Sequence, residues 1–331
     1  MSDILIATTD DLAVKRYDRA FMAEAAKKIF FGPLAGKDEN NIVQTKMDLT
    51  KNPGDQIRIP LFPNLSGAGV SGDTVTIEGA EETVTLYSDD VTVGFYANAL
   101  RTDGPMTEQR SPADLRGEAR RVLSTWMAEK IDTLGFTAIE TSPSKIYAEV
   151  SDALTATSAV TGITATDLVE PSMCMYLRAY ADTASPKIKP IKQGGKDMFV
   201  LLLHPHCLYD MKNDSTWQYF NYYAGPRDYK TNNIFSAGAG QIDDVLIYSH
   251  QNVGTSTTYG GGAVYGAKNK FLGAQAMALA WAKYPWMVEK RFEYGTRWGC
   301  MVGAIFGFTK LQFNSKDFGV IELRTARTAI S

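Results

Sequence analysis

One stretch, residues 52–98, constrains the fold of this chain more than any other part of the sequence. Apolar and polar residues alternate around Ile57 and Ile59 and again around Val91 and Val93, and a region rich in Gly and Ser lies between them. Alternation with a period of two is typical of half-buried β-strands, so the pattern predicts a two-stranded ribbon. With about 10 to 15 residues in each arm, the ribbon would reach about 35 to 50 Å.

A ribbon of that length is too long for the body of its own chain. A compact chain of 331 residues has a radius of gyration of about 20 Å. An isolated hairpin is only marginally stable in water, and its free edges invite association. We therefore expect the ribbon to project from the body and to be covered by a partner.

The composition indicates a globular protein and argues against several functional classes. Hydrophobic residues make up 44% of the chain, enough for a normal core, and the net charge of -3 excludes a polybasic nucleic-acid-binding tail. Cys174, Cys207 and Cys300 are widely separated, as expected in a reducing compartment rather than in a disulfide framework. The sequence has neither a signal-peptide pattern nor an apolar segment of about 18 residues, so we expect a soluble, cytoplasmic setting without membrane contact.

Helical periodicity predicts two helices in the first half of the chain. Apolar residues recur every three or four positions over residues 10–31, which would form an N-terminal arm. A longer helix is predicted over residues 112–134, with Ser111 as its N-cap, Pro112 at its first position and Gly135 at its end.

The second half of the chain has the pattern of buried strands around short helices. A helix is predicted to begin near Asp167. The apolar run of residues 199–205 predicts a strand that is buried on both faces, with a short helix after it. Residues 244–249 and 297–327 also have strand patterns, whereas residues 254–266 are so rich in Gly and polar residues that we expect a flexible loop.

The segment from Gly67 to Gly72 has the GxGxxG spacing of dinucleotide-binding loops, and Asp89 and Asp90 follow close to where a ribose-binding acid would lie in sequence. Such a loop needs a buried strand before it and a helix after it. Here prolines interrupt the strand before the glycines and β-branched residues follow them, so a flexible ribbon tip is the favoured interpretation. A nucleotide-binding enzyme using Gly67 to Gly72 is the alternative from a different functional class.

The histidines and cysteines do not predict a metal centre. His204, His206 and Cys207 are close in sequence and His250 is distant, but without a second clustered pair this spacing is only a weak indication of zinc. With three histidines in the chain and no GxSxG elbow, a catalytic triad is not predicted either. We expect no catalytic residue, no metal and no cofactor.

The ribbon and the segment after it carry opposite charges. Between positions 55 and 90 there are seven acidic residues and a single basic one, Arg58, whereas the start of the predicted long helix is rich in arginine. These could be two independently solvated surfaces. Our hypothesis is that the ribbon of one subunit lies over the helix start of the next, which would fix the register of assembly. The contact would join Glu78, Glu81, Glu82, Asp89 and Asp90 with Arg110, Arg116, Arg120 and Arg121.

The order of these elements resembles the major capsid proteins of tailed phages with the Hong Kong 97 (HK-97-like) fold, in particular the N-four-like branch. Four stretches carry the resemblance: GAGVSGDTVTIEGAEE at 67–82, DGPMTEQRSPADLR at 103–116, VLLLHPHCLYDMKNDSTW at 200–217 and LGAQA at 272–276. The resemblance implies an α+β fold with five parts. These would be an N-terminal arm (1–51), an extended β-hairpin loop (52–98), a peripheral domain (99–165) with its spine helix (112–134), an axial domain (166–284) and a return to the peripheral domain (285–331).

The function that the resemblance implies is structural. Subunits of this kind self-assemble into hexamers and pentamers of an icosahedral phage head around double-stranded DNA. The implied partners are other copies of the chain, the portal, decoration or scaffolding proteins, and packaged DNA bound without sequence preference. Such a protein would assemble in the cytoplasm of a bacterial host and reside in the virion. Only a short arm precedes the ribbon, so any scaffolding is expected to be a separate protein. An encapsulin-like compartment shell is the alternative within the structural class.

One departure from this resemblance generates a prediction. Some relatives lock their shells through a lysine of the extended loop that is joined covalently to a neighbour's asparagine, but here no lysine occurs between Lys51 and Lys130. We therefore expect assembled protein to migrate as a single chain on denaturing gels. Bands of covalent oligomers would contradict this expectation.

Overall fold

Two β-sheets and one long helix organise the chain. The structure, a computed structural model, describes residues 29–329 except for 51–52, 62–68, 70, 72–77, 79–80, 84, 111–114, 194 and 224–239. The strands are β1 Ala35–Gly36, β2 Val43–Lys46, β3 Gln56–Leu61, β4 Tyr87–Thr92, β5 Gly94–Arg101, β6 Ile146–Val150, β7 Ala153–Thr155, β8 Ile191–Gln193, β9 Lys196–Leu203, β10 Gly240–Ile242, β11 Val245–Ser249, β12 Thr255–Tyr259, β13 Val264–Leu272, β14 Met277–Phe292, β15 Arg297–Lys310, β16 Gln312–Phe313, β17 Lys316–Asp317 and β18 Val320–Ala326. The helices are α1 Pro105–Arg110, α2 Leu115–Glu140, α3 Pro171–Thr183, α4 Pro205–Asn213 and α5 Ser215–Tyr223, with short 3-10 turns at Gly32–Leu34 and Asp48–Thr50.

The long helix α2 packs on a five-stranded sheet with the order β1-β2-β14-β15-β5. Leu123, Met127 and Ile131 recur every four residues, which places them on one face of the helix. They belong to the same buried cluster as Val302 and Phe306 of β15. The apolar stripe of α2 is therefore buried by the central strands of this sheet.

The long helix continues past its predicted end. Gly135 was expected to terminate it, but the helix extends to Glu140. A Cβ atom at position 135 would lie 2.7 Å from Cε2 of Phe31, whose ring is 1% exposed. The glycine is thus a notch for an aromatic ring rather than a helix stop. The predicted N-cap at Ser111 and first turn at Pro112 lie outside the described residues, as does nearly all of the predicted N-terminal helix.

A nine-stranded sheet forms the second layer of the fold. Its main path is β10-β11-β9-β13-β18-β6-β7, with β12 paired to β13 and β8 to β9. The predicted buried strand is confirmed as β9, in which residues 199–203 are all buried. The short helix after it is α4, with His204 as N-cap and Pro205 at its first position. The helix predicted near Asp167 is α3, which begins four residues later, at Pro171.

The expectation of a flexible loop over residues 254–266 is wrong. This segment forms a hairpin, in which β12 pairs antiparallel with β13. Three of the five glycines form the turn, where Gly260, Gly261 and Gly262 have φ angles of 59°, 74° and 100°. Thr257 and Thr258 favour the extended conformation before the turn, and Tyr259 is buried at the strand end. Glycine content thus marked a turn between strands rather than an unstructured loop.

The limits of the two sheets do not coincide with the domain boundaries inferred from the resemblance. Residue 284 falls inside β14, which lies wholly in the five-stranded sheet. The last strand, β18, joins the nine-stranded sheet, where it pairs with β13 and β6. The assignment of peripheral and axial domains therefore stays a prediction, because sheet membership follows different limits.

The notch at Gly135 generates a stability prediction. Gly135→Ala should destabilise the full chain by about 1 to 3 kcal/mol, because overpacking against the confined ring of Phe31 outweighs the better helix propensity of Ala. Urea unfolding measures the effect. Thr137→Ala, on the exposed side of the same helix, is the matched control and should change stability by less than about 0.5 kcal/mol. Shrinking the ring with Phe31→Leu should recover part of the loss in the double variant; additive losses would contradict the notch.

Candidate assembly surfaces

The base of the ribbon is a short antiparallel hairpin that is docked on the body. β3 and β4 pair through six residue pairs, from Gln56 with Thr92 to Leu61 with Tyr87. At about 3.3 Å per residue this ladder is about 20 Å long. The residues between its outer ends are largely outside the described part of the chain. The predicted ribbon ran on to residue 98, but after Thr92 the chain leaves the hairpin and enters the five-stranded sheet as β5.

One face of this hairpin is apolar and buried. Ile57, Ile59 and Val91 form a cluster with Ala278 and Ala280 of β14, together with side chains from the segment after β15. All three hairpin residues are at most 7% exposed. The alternation seen in the sequence therefore marks the face that fixes the hairpin to its own chain, and only the opposite face is left for other partners.

A polar junction, centred on Asp317, lies beside the hairpin base. The carboxylate of Asp317 accepts hydrogen bonds from the Lys310 ammonium at 2.7 Å, from the Gln312 side chain at 2.8 Å and from the backbone N–H of Ser144 at 2.6 Å. Burial by itself would raise the pKa of Asp317, but these bonds outweigh it and lower the pKa below its usual range. The side chains of Lys310 and Asp317 are 2% and 1% exposed, so the ion pair is shielded from solvent.

Asp89 connects the hairpin to this junction. One of its carboxylate oxygens accepts the backbone N–H of Gln312 at 2.9 Å, and the other accepts the backbone N–H of Asp90. Asp90 instead forms two hydrogen bonds across the hairpin with the guanidinium of Arg58, at 2.8 and 2.9 Å. This hydrogen bonding lowers the pKa of Asp90 and raises that of Arg58. Both aspartates were expected in an intersubunit contact, but each of them has a partner within its own chain.

The remaining members of the hypothesised contact are distributed as follows. Glu78, Glu81 and Glu82 are exposed on the described parts of the ribbon. Arg110 is exposed at the end of α1, and Arg121 forms an ion pair of 2.7 Å with Glu118 of its own helix. Arg120 is half-buried, and the side chain of Arg116 is outside the described part of the structure.

An aromatic and cationic surface on the five-stranded sheet was not predicted from the sequence. Phe95 of β5, 59% exposed, stacks on Trp286 of β14 with 5.9 Å between ring centroids. The ammonium of Lys283 lies 3.9 Å from the centroid of Trp286, and the guanidinium of Arg101 lies 4.8 Å from that of Phe292. The period-two spacing of residues 286, 288, 290 and 292 was the signal that could have found this surface, since it places them on one face of β14.

The residues considered for a metal site have packing roles. Nδ1 of His204 accepts the backbone N–H of His206, and burial, followed by the charge of His206, lowers the pKa of His204 to about 4. The ring of His250 stacks on Phe136 with 4.7 Å between centroids. Burial raises the pKa of the Cys207 thiol to about 11. Within the described ranges, no group of three or more His, Cys, Asp and Glu is arranged to hold a metal ion.

The glycine-rich segment and the helices were also considered for nucleotide binding and for membrane contact. Most of the GxGxxG segment lies outside the described residues; Gly69, which is described, has a φ of 67°. None of the helices in the described part of the chain is long and apolar enough to cross a membrane.

Comparison with known proteins identifies relatives over nearly the whole chain. A family described as "Phage capsid protein" matches residues 5–329. The major capsid protein of Pseudomonas phage KPP25 is 27% identical over 353 aligned residues, covering 92% of this chain and 93% of that protein. Among solved structures, the capsid of Ralstonia phage GP4 aligns over 100% of both chains at 23% identity with a TM-score of 0.80. The capsid of cyanophage Pam1 aligns over 92% of this chain and 94% of that chain at 22% identity, also with a TM-score of 0.80.

The adjacent carboxylates of the hairpin generate a paired prediction. Asp89→Ala leaves the partly buried N–H of Gln312 without its acceptor, so it should destabilise the chain by about 1 to 2 kcal/mol. Asp90→Ala removes only an exposed ion pair and should leave the unfolding midpoint essentially unchanged. Urea unfolding of both variants measures the difference. Equal effects would show that Asp89 does not anchor the hairpin.

Proposed function

The chain belongs to the phage capsid protein family, and we propose that its copies assemble into hexamers and pentamers that close an icosahedral head around double-stranded DNA. It is a phage major capsid protein with a structural role in the virion, and it has the fold of phage capsid subunits. The observation that carries the proposal is the family match over residues 5–329, together with structural agreement along the full length of a capsid subunit.

The role that we propose involves no catalysis. The three buried cysteines and the histidines near β9 support this view, because they take part in packing and N-capping rather than in an exposed reactive site. Asp89 and Asp90, the acids that a nucleotide-binding reading would use, hold the hairpin instead.

The contacts with packaged DNA are proposed to be few and sensitive to salt. The net charge of -3 supports this, since a protein that neutralises many phosphates needs a surplus of basic residues. Assembly in the bacterial host cytoplasm, attachment to a portal, and association with decoration or scaffolding proteins are parts of the same proposal.

Contact between copies is proposed to involve the ribbon of one subunit and the basic helix start of another. Glu78, Glu81 and Glu82 supply the acidic side, and Arg110, Arg116, Arg120 and Arg121 supply the basic side. Asp89 binds the backbone of Gln312, and Asp90 pairs with Arg58 across the hairpin, so both acids of the ribbon base have partners in their own chain. The base of the ribbon is held by its own chain, and the contact that we propose lies in its distal part. Opposite charges of this kind steer association and fix register more than they add affinity.

Shell formation is tested by expressing the full chain and examining it by sedimentation and negative-stain microscopy. We expect closed particles of megadalton mass. A species that sediments only as a monomer, under conditions in which the chain is folded, would contradict the proposal. Particles that purify with an enzyme cargo and no nucleic acid would support a compartment shell instead.

The proposed contact is tested by charge reversal. Glu81→Lys combined with Glu82→Lys should lower the yield of particles and reduce its dependence on salt, because two attractive charges become repulsive. Reversing Arg110 and Arg121 to Glu in the same chain should restore part of the yield. The matched control reverses Asp38 and Glu39, an adjacent exposed acidic pair outside the ribbon. An unchanged yield in the first variant would contradict the contact.

A further inference from the structure

The hairpin β6–β7, at one edge of the nine-stranded sheet, contains a buried carboxyl group with one oxygen atom that has no hydrogen-bond partner within the described residues. Glu149 of β6 is 5% exposed. Its Oε2 atom is buried and has no hydrogen-bond partner within the described protein. A buried carboxylate without a partner is costly, whereas a protonated carboxyl group in the same place is neutral.

The turn of this hairpin is held by a second buried carboxyl group, that of Asp167. Its two oxygens accept the backbone N–H of Asp152 at 3.2 Å and that of Thr164 at 2.7 Å. Burial would raise the pKa of Asp167, but the hydrogen bonds from the backbone outweigh it and lower the pKa. Asp167 is therefore ionised at neutral pH, and its charge fixes the turn.

The turn itself is conformationally demanding. Ser151 and Asp152, its two central residues, have φ angles of 55° and 58°, in the left-handed region. A two-residue turn of this geometry is usually occupied by Asn-Gly or similar residues. The hydrogen bond from the backbone N–H of Asp152 to Asp167 compensates for this conformation. A change that weakens the packing around this turn would therefore loosen the hairpin.

The groups around Glu149 are acidic or neutral. Burial, followed by the charges of Glu170, Asp167 and Asp152, raises the pKa of Glu149 to about 7. On β18, the neighbouring strand, Leu323 and Thr325 lie on the same face of the sheet as Glu149 and carry no charge. Asp152 belongs to the turn, and Asp167 and Glu170 belong to the segment that leads into α3.

We propose that Glu149 is a proton switch, which holds the β6–β7 hairpin in place when its carboxyl group is protonated and loosens the hairpin when it ionises. Two buried carboxyl groups beside one turn then have opposite requirements, since Asp167 must be charged and Glu149 must be neutral. The hairpin lies at the end of the sheet path, where β7 pairs only with β6 within the described residues. Loosening it would therefore change an edge of the subunit without unfolding the core.

The direction of the pH effect follows from the two states. In the closed hairpin the carboxyl group of Glu149 binds its proton up to about pH 7, whereas in an open hairpin it would ionise near its ordinary value of 4.5. The closed state thus binds more protons between these two values. Closure is strongest at low pH, weakens as pH rises through this interval and then levels off.

Hydrogen exchange of the full chain, followed by mass spectrometry, tests the switch. In peptides covering residues 146–167, protection corrected for the intrinsic rate should fall by up to about tenfold per pH unit between about pH 5 and about pH 7, and then stay constant. Glu149→Gln, a neutral isostere, should remove this dependence. Glu149→Met serves the same purpose if the amide is poorly accommodated. Asp197→Asn, which neutralises an exposed carboxylate on β9, should behave like the parent.

Two outcomes would overturn the proposal. The first is a parent chain whose protection in this segment does not depend on pH, or variants at position 149 that retain its pH dependence. The second is an effect of divalent cations at about pH 8. If millimolar Mg²⁺ or Ca²⁺ restored the protection of the parent chain but not that of Glu149→Gln, a cation rather than a proton would be the partner of the carboxylate. Neither outcome depends on whether the chain forms shells, so the test is independent of the proposed function.

Discussion

The buried carboxylate of Asp317 connects segments that are far apart in sequence. It binds the ammonium of Lys310 at the end of β15 and the backbone of Ser144 in the segment after α2. Gln312, which also donates to Asp317, carries the backbone N–H that binds Asp89 of the ribbon hairpin. The end of the long helix, the end of the longest hairpin and the base of the ribbon thus meet at one ion pair. Removing either charge would leave the other buried without a partner, which is among the most costly changes that a core can suffer.

This junction explains how the hairpin at the base of the ribbon is held on the subunit. A two-stranded hairpin alone is marginally stable, but here the apolar face of its base is buried against β14 and its polar edge is tied to Gln312. Glu78, Glu81 and Glu82 lie beyond this base and are exposed. A rigid base with a distal acidic segment suits a protein whose function is to join many copies of itself.

Long, strongly periodic elements were predictable from the sequence, and elements decided by distant contacts were not. The strand β9 and the helix after it followed from an apolar run and a proline, which are local signals. The end of α2 could not be predicted from local signals, because the role of Gly135 depends on Phe31, which is more than a hundred residues away in sequence. The hairpin at 254–266 was not predicted because its glycines and threonines were considered together, although three successive glycines form the turn and the threonines lie in the strand before it. Asp89 and Asp90 looked equivalent in sequence, yet one anchors the hairpin to the body and the other pairs across it.

The sequence by itself determined the α+β class, the ribbon, the long helix and the resemblance to phage capsid proteins, because these depend on periodicity and on contiguous motifs. Only the tertiary structure decided that β14 and β15 belong to the five-stranded sheet and β18 to the nine-stranded sheet. It also decided which carboxylates face a cation and which are buried without one. The physical reason is that the environment of a charged group is set by residues brought together from distant parts of the chain. Glu149 and Asp167 are both buried carboxyl groups, and their neighbours in space shift their pKa values in opposite directions, upward for Glu149 and downward for Asp167.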